Sequence, residues 1–135
     1  MRPASVQDDL DVRRLLATYC HLCDDGLFDA VVALFTPDGS LAYGAYLAEG
    51  AAAIRAFFQD FQGDPEKRGK HLTMNTVVEV EGERGRAQSD VLFVRFFGGV
   101  LAPYVAARYR DDLLRVDGQW RFARREIVRL HPAVG

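Results

Sequence analysis

The sequence predicts an α+β domain in which three helices close over a curved, four-stranded antiparallel sheet. Two observations carry this. Apolar residues recur at helical spacing as far as Phe61, and from His71 onward the period becomes two. The second half is also punctuated by glycine-bearing turns, of which Asp117-Gly118 is the strongest hairpin dipeptide in the chain. Helices followed by a run of strands mark the α+β class. With 135 residues, the chain is read as one domain, 1–135, long enough to bury a core.

Each element follows from local chemistry. Ser5-Val-Gln-Asp8 has the form of a capping box, and Asp9 and Asp11 complement the helix dipole. Val12, Leu15, Leu16, Tyr19 and Leu22 then form an apolar stripe that stops at Asp24-Asp25-Gly26, where glycine suits a C-terminal cap. Asp29 to Phe35 reads as a short second helix ended by Pro37-Asp-Gly39. Leu41 to Leu47 reads as strand, turn and strand, broken at Gly44. Gly50 to Phe61 is a third helix with Ile54, Phe57, Phe58 and Phe61 on one face. After the polar loop 63–69 come four strands: His71–Glu81, Arg86–Phe97, Leu101–Val116 with a bulge at Asp111-Asp112, and Gln119–His131. In the first of these, His71, Thr73, Asn75 and Val77 are expected on one face. Leu72, Met74, Thr76, Val78 and Val80 are expected on the other.

Composition narrows the function. Hydrophobic residues are 49% and charged residues 27%, with 17 basic and 19 acidic residues interspersed, which argues against a nucleic-acid partner. Arg121, Arg124, Arg125 and Arg129 would divide between two strand faces rather than form a basic patch. No stretch approaches a membrane span, and the N-terminus lacks the apolar region of a signal peptide. A reducing, cytoplasmic location is expected. Cys20 and Cys23 are spaced C-x-x-C, but inside a helix that is ending, so they read as packing residues rather than a redox or metal motif. No His/Asp/Glu set has metal-site spacing, no glycine-rich phosphate loop is present, and no cofactor is implied.

Among three histidines, His71 stands out because it starts the pocket-facing strand, and Asp24 ends the first helix. A carboxylate that orients an imidazole is a minimal general base. An aspartate at a helix C-terminus opposes the dipole and calls for such a partner. Asp25 lies one residue further along and is expected to be exposed. Tyr19 could present a hydroxyl, Arg125 could bind an oxygen or pair with Glu126, Asp90 or Asp111, and Asn75 and Tyr43 could orient substrate. Phe57 and Phe93, with other aromatics, favour an apolar cavity for a ring-bearing molecule. His21 and His131 are expected at the surface.

Four segments carry a resemblance over Leu10 to Leu130: Tyr19-x-x-x-x-Asp24, Ala33-Leu-Phe-Thr-Pro-Asp38, His71-x-x-x-Asn75, and Tyr109-x-Asp111 through Asp117-Gly-x-Trp120. The chain resembles the SnoaL-like branch of the superfamily named for nuclear transport factor 2 (NTF2-like). That branch includes polyketide cyclases, scytalone dehydratase, ketosteroid isomerase, bile-acid dehydratase and hexachlorocyclohexane dehydrochlorinase. The resemblance implies a cone, with a strongly bent sheet and helices closing an apolar cavity. It implies a homodimer through the outer sheet face, where Leu72, Met74 and Val78 would otherwise be exposed.

Scytalone dehydratase and the dehydrochlorinase place an aspartate on the first helix against a histidine on the first long strand, and Asp24 and His71 fall on those positions. The dehydrochlorinase has an arginine five residues after its tryptophan, which Arg125 matches relative to Trp120. Its lysine five residues before the aspartate is here Tyr19, which suits a hydroxyl or carbonyl oxygen better than a halide. Tyr43 matches a tyrosine of scytalone dehydratase. The second histidine of that enzyme has no counterpart, and the Asp-Arg-Asp set used for epoxide hydrolysis does not assemble.

The resemblance therefore implies a cofactor-independent lyase of dehydratase type, or an isomerase, acting on a small apolar cyclic or polyketide-like molecule. His71, Asp24, Tyr19 and Arg125 are the expected catalytic set, and Asn75, Tyr43, Phe57 and Phe93 the expected substrate contacts. Fold does not dictate chemistry, so a non-catalytic ligand-binding or assembly module is the rival.

Overall fold

In the computed structural model, which describes residues 1–131, helix α1 (Val6–Asp24) starts as its cap requires: Ser5 Oγ accepts the Asp8 backbone N–H at 3.1 Å. The second half of the expected capping box is diverted. Asp8 Oδ1 accepts instead from Arg115 Nη1 at 2.8 Å and Trp120 Nε1 at 3.2 Å, tying the helix start to the far end of the sheet. At its other end Gly26 has φ +73 and the Leu27 N–H reaches the Leu22 carbonyl at 2.9 Å. A Cβ at Gly26 would meet only the Arg68 guanidinium, the far end of a side chain that can swing aside, so it is the left-handed dihedral that calls for glycine here.

Helix α2 (Phe28–Val32) is shorter than the expected Asp29–Phe35, because Phe35 opens strand β2 (Phe35–Tyr43). Gly44 (φ +57) turns the chain into β3 (Tyr46–Glu49), and α3 (Ala51–Gln62) and a 3₁₀ turn (Pro65–Lys67) follow. The meander is β4 (Lys70–Glu81), β5 (Arg84–Phe97), β6 (Val100–Val116) and β7 (Gln119–Arg129). A two-residue strand, β1 (Arg2–Pro3), pairs with β4 and has no signal in the sequence.

The seven strands form one unclosed sheet in the order β1-β4-β5-β6-β7-β2-β3. All neighbours are antiparallel except β2 and β7, which run parallel. The expected four-strand sheet is thus extended at both edges. The core lies between its concave face and the helices. Tyr19 sits at its centre, edge-on to Phe58, Tyr109 and Phe122 with ring centroids 5.7–6.0 Å apart. Such pairs contribute about 0.5–1.5 kcal/mol each beyond the area they bury.

One irregularity redistributes the faces of β4. Met74 pairs with Asp90 and Val77 with Gln88, so Asn75 and Thr76 together oppose Ser89. This is a β-bulge, and Asn75 takes the left-handed conformation (φ +55) that asparagine tolerates. Before the bulge, His71 and Thr73 face inward while Leu72 and Met74 are exposed; after it, Val78 and Val80 face inward and Val77 is 59% exposed. The expected uniform alternation is corrected accordingly. Val78 belongs to the core, and Val77 joins Leu72 and Met74 on the outer face. The bulge expected at Asp111-Asp112 coincides with a register shift between Asp112 and Leu113.

Candidate functional site

The end of α1 and the start of β4 bring Asp24 and His71 together. His71 Nδ1 lies 2.5 Å from Asp24 Oδ1, and the His71 backbone N–H is shared between both carboxylate oxygens at 3.2 Å. Three contacts thus converge on one carboxylate, which answers the unfavourable dipole at the helix end. A carboxylate at Nδ1 fixes the proton there and leaves the lone pair of the neutral ring on Nε2. The ring is held against Phe93, its cross-strand partner, at a centroid distance of 4.5 Å. The pair is nearly enclosed: the His71 side chain is 11% exposed and that of Asp24 5%.

His71 borders a cavity of about 380 Å³, within the size range of small-molecule sites. Tyr19, Tyr43, Phe57 and Phe93 border it too, and Asp24 stands behind the imidazole, outside its lining. Tyr109, Gln62 and Arg95, to which the sequence assigned no site role, also line it. Gln62 Nε2 is 3.4 Å from His71 Nε2, a long contact that suits an amide N–H pointing at the ring lone pair, and the amide oxygen of Gln62 is buried with no partner among the described residues. Two of these residues had a signal. Tyr109 alternates with the buried Ala107 and Asp111, and Gln62 continues the Ile54–Phe58 row at four-residue spacing.

Two expected residues lie elsewhere. Asn75 is on the exposed face, where its Nδ2 donates to Asp90 Oδ2 at 3.1 Å; the bulge that it makes turns it away from the cavity. Arg125 is fully buried, sealed from the cavity by the aromatic rings around it. Its Nε and Nη2 donate to the two Asp111 oxygens at 2.9 and 3.2 Å. Its guanidinium carbon lies 3.5 Å from the Tyr109 ring centroid, 4.2 Å from that of Tyr19 and 4.5 Å from that of Phe122. Arg125 therefore meets tyrosines rather than the cavity, and Asp111 is the partner it takes among those considered.

The electrostatics follow from this burial. Desolvation pushes the Asp111 carboxyl up to about 6, with the Arg125 charge pulling it back down. Burial by itself would lower the Arg125 pKa, but Asp111, Tyr109 and Tyr19 hold it above the ordinary value. Burial also drives the Tyr19 and Tyr109 hydroxyls well above the usual range, so both are protonated donors. Cys20 and Cys23 are free and buried, and desolvation raises both thiols, which makes them poor nucleophiles. His21 and His131 are exposed. Among the described residues no three His, Cys, Asp or Glu side chains cluster as metal ligands. No helix among them is long and apolar enough to cross a membrane.

A model of the SnoaL-like domain matches residues 4–126. No curated protein sequence matches the chain. Solved structures do. A Mycobacterium tuberculosis protein of unknown function superposes with a TM-score of 0.87 at 25% identity, covering 93% of this chain and 73% of that one. An NTF2-like protein with a cystatin-like fold from Novosphingobium aromaticivorans gives 0.84 at 27%, covering 95% and 85%. ActVI-ORFA from Streptomyces coelicolor gives 0.84 at 23%, covering 94% and 100%, a likeness of fold alone.

Proposed function

Since the chain belongs to the SnoaL-like domain family, on an NTF2-like fold, we propose that it is a cofactor-independent proton-transfer enzyme, a dehydratase-type lyase or an isomerase. Its substrate is a small, apolar, ring-bearing or polyketide-like molecule. The observation that carries this reading is the 2.5 Å contact between Asp24 Oδ1 and His71 Nδ1 on a histidine that borders an apolar cavity. A ligand-binding module has no need of an oriented imidazole there.

In this mechanism His71 Nε2 takes a proton from carbon next to a carbonyl. Asp24 stabilises the imidazolium that forms, and assistance of this kind is commonly worth ~10²–10⁴-fold in rate. The C–H electron pair becomes the new π bond. In an elimination the β C–O bond breaks, and the proton on His71 passes to the departing hydroxide as water. In an isomerisation the same proton returns to another carbon. Tyr19 and Tyr109 donate hydrogen bonds to the oxygen on which charge builds. Arg125, at cation–π distance beneath both rings, acts through them.

The same reading places two copies of the chain together through the outer sheet face, where Leu72, Met74 and Val77 are exposed. It places the protein in a reducing compartment such as the cytoplasm, which suits its two free cysteines.

The test is deuterium exchange at the α carbon of tetralone in D₂O, followed by NMR, together with dehydration of a bicyclic β-hydroxy ketone followed by absorbance. Wild-type protein should accelerate at least one reaction, and His71→Ala should not. A ketone that binds in the cavity with neither reaction above the His71→Ala level would leave the binding module as the better account.

A further inference from the structure

The wall of the cavity beyond the dyad carries an unused cation. Along β5, Val91, Phe93 and Arg95 alternate onto the concave face and all border the cavity. Arg95 forms no ion pair among the described residues, and its Nε is buried with no hydrogen-bond partner. Its guanidinium carbon is 4.8 Å from the Phe97 ring centroid and 5.3 Å from that of Tyr104. Two aromatic faces thus hold the group in place without satisfying its donors. Lys67, from the 3₁₀ turn, lines the same cavity and forms no ion pair among the described residues, and Asp60, the carboxylate among the described lining residues, is exposed.

Resting on the dyad reading, the geometry points to a carboxylate-bearing ring as the substrate class, with Arg95 as its anchor. A guanidinium presents a planar fork of donors that matches a carboxylate, and a partly desolvated one gains most from such a partner. Distance sets the arrangement. Phe93 is the cross-strand partner of His71, and Arg95 lies two residues further along the strand, ~7 Å on. The ligand spans this interval, with its acid at Arg95, its ring over Phe93 and its reacting carbon at His71 Nε2. Lys67 adds a second positive charge at the rim.

Binding of naphthoate and of its neutral isostere naphthamide to the full chain, by calorimetry, tests the anchor. Naphthoate should bind at least about tenfold more tightly. Arg95→Met, which keeps the length of the stem, should bring the two affinities to within about twofold, by weakening naphthoate far more than naphthamide. An unchanged far-ultraviolet circular dichroism spectrum and urea midpoint show that the variant is folded. Naphthoate binding no tighter than naphthamide, or a preference that survives Arg95→Met, overturns the proposal. Failure of the two ideas is distinguishable: His71→Ala should keep the preference for the acid. A missing dyad activity with the preference intact would sink only the catalytic reading, and the converse would sink only the anchor.

Discussion

Among the described residues, two enclosed carboxylates hold a nitrogen group at bonding distance, Asp24 with His71 and Asp111 with Arg125. Their local chemistry is alike and their surroundings are not. The Asp111–Arg125 pair is 0% exposed on both side chains and is roofed by Tyr19, Tyr109 and Phe122. The Asp24–His71 pair keeps one ring edge on a cavity. A sealed pair can only hold the sheet and bias the rings above it. A pair with one free lone pair can exchange a proton with whatever enters. A match by residue type and position finds both arrangements, and only burial separates them.

The largest effect should come from breaking the sealed pair. Asp111→Ala leaves a guanidinium charge buried and unpaired, and should cost about 3–5 kcal/mol in urea unfolding. Replacing both partners, Asp111→Leu with Arg125→Met, should recover most of that loss, since apolar groups of similar volume are often tolerated in place of a buried pair. A single-variant cost below about 1 kcal/mol would mean that the pair is hydrated like a surface one.

The open pair should respond in the opposite manner. His71→Ala should lower turnover of the β-hydroxy ketone ~10²–10⁴-fold, while unfolding free energy moves by only about 1 kcal/mol. Asp24→Asn should lower turnover as well, because an amide can neither stabilise the imidazolium nor hold the tautomer reliably. Large stability losses with turnover intact would reverse the roles assigned to the two pairs.

What could be read from the chain follows the same division between local and non-local causes. The helices, the hairpin turns and the Asp24–His71 pairing each depend on neighbours within a few residues or on one recognisable motif. β2 does not: Thr36-Pro37-Asp38-Gly39 has the composition of a turn, yet it is a strand with an irregular register beside β7, a partner some eighty residues away. The Arg125 site is equally non-local, since its enclosure depends on Tyr109 and Tyr19 from two other elements. Asn75 failed for a smaller reason. A single extra residue flips every side chain after it, and the polar alternation reads the same with or without the bulge.

That bulge offers a mid-sized test. Asn75→Val forces a β-branched residue into a left-handed conformation and should cost about 1–2 kcal/mol. Asn75→Gly should stay within about 0.5 kcal/mol of wild type, with turnover unchanged. Turnover lost on Asn75→Gly at unchanged stability would return Asn75 to the site, despite its exposed position.

The smallest effect is the most diagnostic of the open pair. Gln62 places its amide nitrogen 3.4 Å from His71 Nε2, the atom that is to accept a proton, and buries an oxygen that bonds to none of the described residues. Such an oxygen costs stability, because it has given up water without replacement. Gln62→Leu removes the orphan together with the polar contact to the ring. Unfolding free energy should hold or rise slightly, while turnover falls about 2–10-fold, the worth of one modest hydrogen bond. A structural role for Gln62 would move both quantities down together. Opposite movement would mean that the chain keeps a destabilising amide for the sake of the imidazole beside it.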